Sequence, residues 1–340
     1  MYSVITNIFY KILVLLLSLS VGCSGGSIFP SKDALIKAKD EDNCKMTAVL
    51  WADMQISDYL LSRNEPMKAA CRDIAAMDGT MDALVLAGDI AENGKGSEYR
   101  VVLDNLNMFK GKINNILPAS GNHDIRLRVF SNAVKNFSEF SSSTNGNLKL
   151  DKLYYSYEVN GYKFIVLGST RTEFEEAYIN ETELNWLDSE LKDATANGLP
   201  AFVILHQPLK NTHNLPDAWG SPIKTAGSVG AQSDDLKRIM SGYKNVFLIT
   251  GHLHSGFASY TYEEIDGIHG VNLPSLTIAG DGYAHTGTGL IMEVYEDTVL
   301  FRARDFSHGT YLPQFDMEYT DADGQKKLPY IIHRTSLGCY

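Results

Sequence analysis

Five short segments of this sequence end apolar runs with side chains that bind divalent metals. Leu50-Trp51-Ala52-Asp53-Met54-Gln55 sets a carboxylate and an amide two residues apart, which in an extended chain puts both on one face. Leu86-Ala87-Gly88-Asp89 ends in a second carboxylate, whose two oxygens can be shared between two ions, and Gly94 beyond it permits a sharp turn. Ala119-Ser120-Gly121-Asn122-His123-Asp124 offers amide oxygen, imidazole and carboxylate in succession. His206 follows Leu205, and Gly251-His252-Leu253-His254 again spaces two imidazoles at i and i+2. Any one of these is ordinary, since an aspartate at a strand end usually caps a turn. Five in order make a nitrogen and oxygen ligand set of the kind that suits divalent cations.

Such a set needs strands to carry it. Short apolar runs occur at Thr47 to Trp51, Ala83 to Leu86, Asn115 to Leu117, Tyr162 to Leu167, Ala201 to Leu205, Val246 to Ile249, Ser275 to Ile278 and Leu290 to Tyr295. Between them, Pro66 to Met77, Glu98 to Phe109, Thr182 to Ala196 and Asp234 to Met240 carry apolar residues at three- and four-residue spacing, which predicts surface helices. The alternation implies an α/β fold. Asn160-Gly161 and Asp266-Gly267 are hairpin turns, so the sheets are mixed, and two packed β-sheets flanked by helices fit the pattern. Ser141 to Asn147 reads as a polar loop, and the chain from Tyr311 as a polar, strand-poor extension wrapped on the core. No internal repeat is evident.

In order and position, the five motifs resemble those of the calcineurin-like metallophosphoesterase family: Asp-x-His, Gly-Asp-x4-Gly, Gly-Asn-His-Asp, His and Gly-His-x-His. The likeness extends to its cyclic-nucleotide phosphodiesterase-like branch and spans residues 46 to 305. It implies a four-layer sandwich, two mixed β-sheets flanked by helices. It also implies two divalent metal ions (Mn, Fe or Zn, with no choice among them), the first held by Asp53, Gln55 and His254, the second by Asn122, His206 and His252, with Asp89 bridging. His123 would be catalytic and Asp124 would orient it through a hydrogen bond from the ring. A metal-bridging hydroxide would attack phosphorus in line. Gln55 departs from the pattern, because it stands where histidine is usual. An amide oxygen is a harder and weaker ligand than imidazole, so the first site is read as a variant of the family's.

With 44% hydrophobic residues the 340-residue chain can bury a large core. Its net charge of −11 argues against a nucleic-acid duplex as partner. A small phosphoester is compatible, because two buried cations reverse the local field; monoester and diester are both open, as is oligomeric state. A non-catalytic metal-binding surface lipoprotein is the competing reading, and an intact His123-Asp124 pair argues against it. Lys11, the apolar run Ile12 to Leu19 and Val21-Gly22-Cys23-Ser24 resemble a bacterial lipoprotein signal, except that Ser20 stands where leucine is usual. The expected organisation is a signal peptide at 1–22, a tether at 23–43, the phosphoesterase domain at 44–310 and an extension at 311–340. The enzyme is then exported and membrane-anchored through Cys23, on the periplasmic or cell-surface side. Cys44, Cys71 and Cys339 cannot all pair, and free thiols are as consistent as a disulfide. Specificity is sought in Lys210 to Gln232, where His213 and Trp219 would wall the cleft, and in Tyr283 and His285.

Overall fold

Apolar runs without alternation are the pattern of strands covered on both faces, and six of the eight expected runs fold as strands at or within a few residues of their expected places. The seventh, near 290, does the same, but Ser275 to Ile278 makes only a one-residue bridge to Ala52. The computed structural model describes residues 43–215, 227–278, 280, 282–283, 286–322 and 325–327. Cys23, Cys339, Trp219 and His285 therefore lie outside the described residues.

The first sheet contains β1 (Met46–Trp51), β2 (Met81–Ala87) and β3 (Ile113–Ala119), which run parallel. The second sheet begins with the Asn160-Gly161 hairpin of β4 (Tyr155–Val159) and β5 (Tyr162–Val166). It continues in parallel through β6 (Ala201–Ile204) and β7 (Val246–Thr250) to the Asp266-Gly267 hairpin of β8 (Tyr262–Ile265) and β9 (Ile268–Asn272). The chain then returns to the first sheet with β10 (Thr288–Val294), antiparallel to β1, and β11 (Thr298–Asp305). Short β12 (Thr310–Tyr311), β13 (Met317–Ala322) and β14 (Gln325–Lys327) complete it. The strand orders are β14-β13-β11-β10-β1-β2-β3, with β12 against β11, and β4-β5-β6-β7-β9-β8.

A core of Leu50, Val85, Phe164, Phe202, Phe247 and Phe301, with their neighbours, lies between the two sheets. On the outer face of the first sheet, Val49, Leu84 and Leu86 pack on apolar faces of α1 (Asn64–Ala76), α2 (Gly96–Leu106) and α4 (Phe130–Thr144). Ile165, Val203 and Leu248 of the second sheet pack on α5 (Glu181–Ala194) and α6 (Ser233–Met240). The single turn α3 (Asn122–Ile125) belongs to the third motif. This is the expected four-layer sandwich. Two expectations fail. Part of the polar loop at 141–147 is the last turn of α4, whose Ala133, Phe137 and Phe140 form a buried stripe at three- and four-residue spacing. Among the described residues after Tyr311, the chain is not strand-poor: β13 extends the sheet beside β11 and buries Met317 and Tyr319 on alternate positions.

Candidate metal centre

Asp53 follows β1, Asp89 follows β2, Asn122 follows β3, His206 follows β6 and His252 follows β7. Parallel strands in each sheet deliver all five to the same end of the sandwich, where ligands of open α/β sheets gather. Backbone hydrogen bonds continue across the loops, from Asp53 N to Gly88 O (3.2 Å), Gln55 N to Asp89 O (2.7 Å) and Gly251 N to His206 O (2.9 Å). The two i, i+2 pairs do not converge by staying extended. Asp53 (φ 54°), Gln55 (φ 38°), Asp89 (φ 49°), His252 (φ 75°) and His254 (φ 51°) are all left-handed. Such a conformation costs a non-glycine residue about 1–2 kcal/mol, so five at one place mark a site held by its surroundings. The glycines leave no spare room. A Cβ on Gly88 would lie 2.4 Å from His206 Nδ1, and one on Gly121 would lie 2.1 Å from Asp89 Oδ1.

Asp89 is the hub. Its Oδ2 lies 3.1 Å from His206 Nε2 and accepts from Gln55 Nε2 at 3.0 Å, while its Oδ1 accepts from His123 N at 2.9 Å. His206 Nε2 is 3.2 Å from His252 Nδ1, and Asp53 Oδ1 is 3.5 Å from His254 Nε2. Two overlapping ligand groups result: Asp89 with His206 and His252, and Asp53 with Asp89 and His254, the donor atoms of each lying within 4.8 Å of one another. Ala87 O, 2.8 Å from His206 Nδ1, fixes that ring so that Nε2 faces inward. Asn122 Oδ1 is buried and accepts no hydrogen bond, while the amide nitrogen donates to Phe174 O and Glu175 Oε2 at 3.2 and 2.8 Å. A buried oxygen left without a donor fits a cation.

The charges are those of a site waiting for positive partners. Burial and then repulsion from Asp89 lift the Asp53 carboxyl to about 7, against the pull of His206. Burial alone would push His206 down, but Asp89 and Asp53 carry it up to about 9. Burial pushes His254 down to about 4, and holds His252 well below the usual histidine range.

Asp124 does not orient His123. Its carboxylate accepts from Ile90 N (3.2 Å), Ala91 N (3.0 Å), Gly121 N (2.8 Å) and Tyr99 OH (2.9 Å), so it ties the second motif to the third from beneath. His123 is instead held by residues the motifs do not mark. Its Nδ1 lies 2.9 Å from Glu92 O and 3.0 Å from Arg126 Nη2. Glu92 O can only accept and Arg126 Nη2 can only donate, so Nδ1 bonds one or the other according to the ring's tautomer, and in both cases Nε2 faces Asp89 Oδ2, 3.9 Å away. Glu92 is paired with Arg63, and Arg126 with Glu175 at 2.9 Å. Only Arg126 left a trace in the sequence, one helical turn beyond His123. His213 is likewise not part of a cleft wall. It is fully buried, with Nδ1 2.7 Å from Tyr260 O and Nε2 pressed on Gly270, because its turn packs on the β8–β9 hairpin. Tyr283 bonds through its backbone to Phe257 O and packs its ring on Phe315, 5.3 Å away.

Residues 58–256 match the family model described as calcineurin-like phosphoesterase, which begins just after Asp53 and Gln55 and takes in the other five ligand positions. The chain belongs to this family. A 3',5'-cyclic-nucleotide phosphodiesterase of Nostoc sp. is 26% identical over 198 residues, 58% of this chain and 65% of that protein, so the chain spans less than two thirds of its curated relative. Among solved structures, a dimetal phosphatase from Danio rerio aligns with TM-score 0.53 at 14% identity over 82% of this chain and 100% of that one. A purple acid phosphatase from yellow lupin aligns with TM-score 0.55 at 14% identity, over 80% of this chain and 53% of that one. These two likenesses establish the fold. The two ligand groups could hold two divalent ions, with Asp89 common to both, and Asn122 Oδ1 is a further buried oxygen without a donor. Gln55 turns Nε2 toward Asp89 and His254, 2.9 Å from His254 Nε2, and its Oε1 toward Arg63 at 3.1 Å. Rotation about the last side-chain bond exchanges the two atoms and presents the oxygen.

Proposed function

We propose that this metallophosphoesterase uses a dinuclear centre to hydrolyse small phosphate esters, diesters first, outside the cytoplasm. The observation that carries the reading is the placement of His123 Nε2 3.9 Å from Asp89 Oδ2, the oxygen closest to His206 and Gln55. An imidazole there faces whatever phosphate the two ions hold. When bound, the ions would supply Lewis acidity to the phosphoryl oxygens and acidify the attacking water. Asp53, Gln55 and His254 would hold the first, Asn122, His206 and His252 the second, and Asp89 both. Glu92 O and Arg126 Nη2 hold the His123 ring at Nδ1. Nε2 would donate a proton to the leaving oxygen as the phosphorus–oxygen bond breaks and the oxygen of water takes its place, so no covalent phosphoenzyme forms. A purely structural metal site has no use for this histidine.

The name of the Nostoc relative favours a diester, and a cyclic nucleotide is the first natural diester to assay. His123→Ala, assayed on bis-p-nitrophenyl phosphate with metal content measured, should keep its metals and lose at least about a hundredfold in turnover, as expected for a general acid. Undiminished turnover at full occupancy would sink the assignment. Export rests on the leader ending at Cys23. Labelling of the expressed chain with radioactive palmitate, abolished in Cys23→Ala, is the corresponding test.

A further inference from the structure

An amide is an ambiguous metal ligand, because only its oxygen can bind a cation and rotation about one bond exchanges oxygen and nitrogen. At Asn122 the choice is made by the loop from β5 to α5. Nδ2 donates to Glu175 Oε2 at 2.8 Å and to Phe174 O at 3.2 Å. An ionised carboxylate and a carbonyl can only accept, so the NH₂ group is fixed between them, and the buried Oδ1 is left without a donor. The other end of the same carboxylate is fixed as well. Glu175 Oε1 accepts from Arg126 Nη1 at 2.9 Å, and Arg126 Nη2 lies 3.0 Å from His123 Nδ1. The backbone is anchored too, since Gln207, the residue after His206, donates from Nε2 to Glu175 O at 3.1 Å.

Glu175 thus joins the Asn122 amide to the guanidinium that borders His123, and hangs from the strand end that carries His206. We propose that Glu175 is a positioning residue of the metal centre: it fixes which end of the Asn122 amide meets the second ion, and Arg126 fixes Glu175. The inference rests on the dinuclear reading above. Arg126 can only donate, so the atom beside it must be an oxygen. With glutamate the other atom is an oxygen too, and accepts from the Asn122 NH₂. A glutamine side chain would keep its oxygen on Arg126 and set its own NH₂ against that of Asn122, an opposition relieved by turning the Asn122 amide over and aiming its NH₂ at the ion. Alanine would leave Phe174 O still accepting from Nδ2, so the amide would keep its orientation. A carboxylate that only filled space would predict the reverse order, because glutamine keeps the shape and both substitutions remove the same charge.

The test is calorimetric titration of the metal-free full chain with Mn²⁺, with thermal melts on the same samples. Glu175→Gln should weaken one of the two binding steps by about tenfold or more, as found for residues that orient metal ligands, and Glu175→Ala should weaken it clearly less. Asn122→Asp combined with Glu175→Gln reverses the hydrogen bond and conserves the charge of the pair. That double variant should return the step to within a few-fold of wild type, a recovery that holds however Glu175→Ala folds. Equal losses in Glu175→Gln and Glu175→Ala, or no recovery in the double variant, overturn the positioning role while leaving the two-metal centre intact. A wild-type chain that takes up fewer than two Mn²⁺ overturns the dinuclear reading, and the role of Glu175 with it.

Discussion

Arg63 Nη1 donates to both oxygens of Gln55, the backbone carbonyl and the side-chain Oε1, each at 3.1 Å. The guanidinium therefore holds the amide with its nitrogen toward Asp89 and His254, the orientation that opposes coordination by the oxygen. A cation in the first position must break one charge-assisted hydrogen bond, of about 1.5–3 kcal/mol, and must tolerate the positive charge behind it. Arg63→Met should consequently tighten Mn²⁺ at the weaker of the two sites by several-fold, read by calorimetric titration of the metal-free protein. Unchanged or weaker binding would show that the amide turns without cost or is not a ligand.

Asp124 gathers four donors from three segments, and asparagine would set an amide NH₂ against some of them. Asp124→Asn should lower the thermal midpoint strongly, because a buried donor left facing another donor costs about 1–3 kcal/mol. Metal affinity should fall as well, since the loops of Asp89 and Asn122 are hung from this carboxylate. An orienting role for the His123 ring predicts the opposite: normal stability with turnover alone reduced. Thermal melts and turnover on the same samples separate the two.

What was legible in the sequence were the features that repeat: apolar runs that need cover on both faces, and metal-binding residue types at their ends. The conformation of those ends was not. Residue spacing placed Asp53 with Gln55 and His252 with His254 on common faces of extended chain, whereas left-handed turns aim them. Contacts distant in sequence were equally hidden. Arg63 and Glu92 approach across twenty-nine residues, and Asn122 and Glu175 across fifty-three, so no local pattern joins them. Asp124 was misassigned because a carboxylate adjacent in sequence to a histidine faces the other way once α3 forms. β11 and β13 were missed because Arg302, Arg304 and alternating polar residues interrupt their apolar runs.

Gly121 lies in extended backbone, so its lack of a side chain is required by space and not by φ. A methyl group would sit 2.1 Å from Asp89 Oδ1 and 2.7 Å from His206 Cδ2. Neither neighbour is the loose end of a flexible chain, because Asp89 is fixed by His123 N and His206 by Ala87 O. Gly121→Ala should therefore displace the bridging carboxylate, lower metal content below two ions per chain and abolish turnover, with the sheets intact by circular dichroism. Full occupancy measured by elemental analysis would show that the bridge can yield.

Glu183 stands in the first turn of α5, fully buried, with Oε1 accepting from Gly168 N at 3.0 Å and Oε2 without a hydrogen-bond partner. Burial raises its carboxyl from 4.5 to about 8, despite the Gly168 hydrogen bond and the distant Lys152. The folded-state value lies above the unfolded one, so the proton is bound more tightly in the native protein. That contribution is full below about pH 4.5 and is lost as pH rises toward 8. Glu183→Gln mimics the protonated form and carries no charge to desolvate. Its melting temperature should be close to wild type at pH 5 and higher by several degrees at pH 8, for about 1–2 kcal/mol in a chain of this size. Glu183 is far from the metal ligands in sequence and makes no contact with them, so activity at pH 7 should be unchanged. A variant less stable than wild type at pH 8 would mean that the ionised carboxylate is held by a partner that offsets its burial.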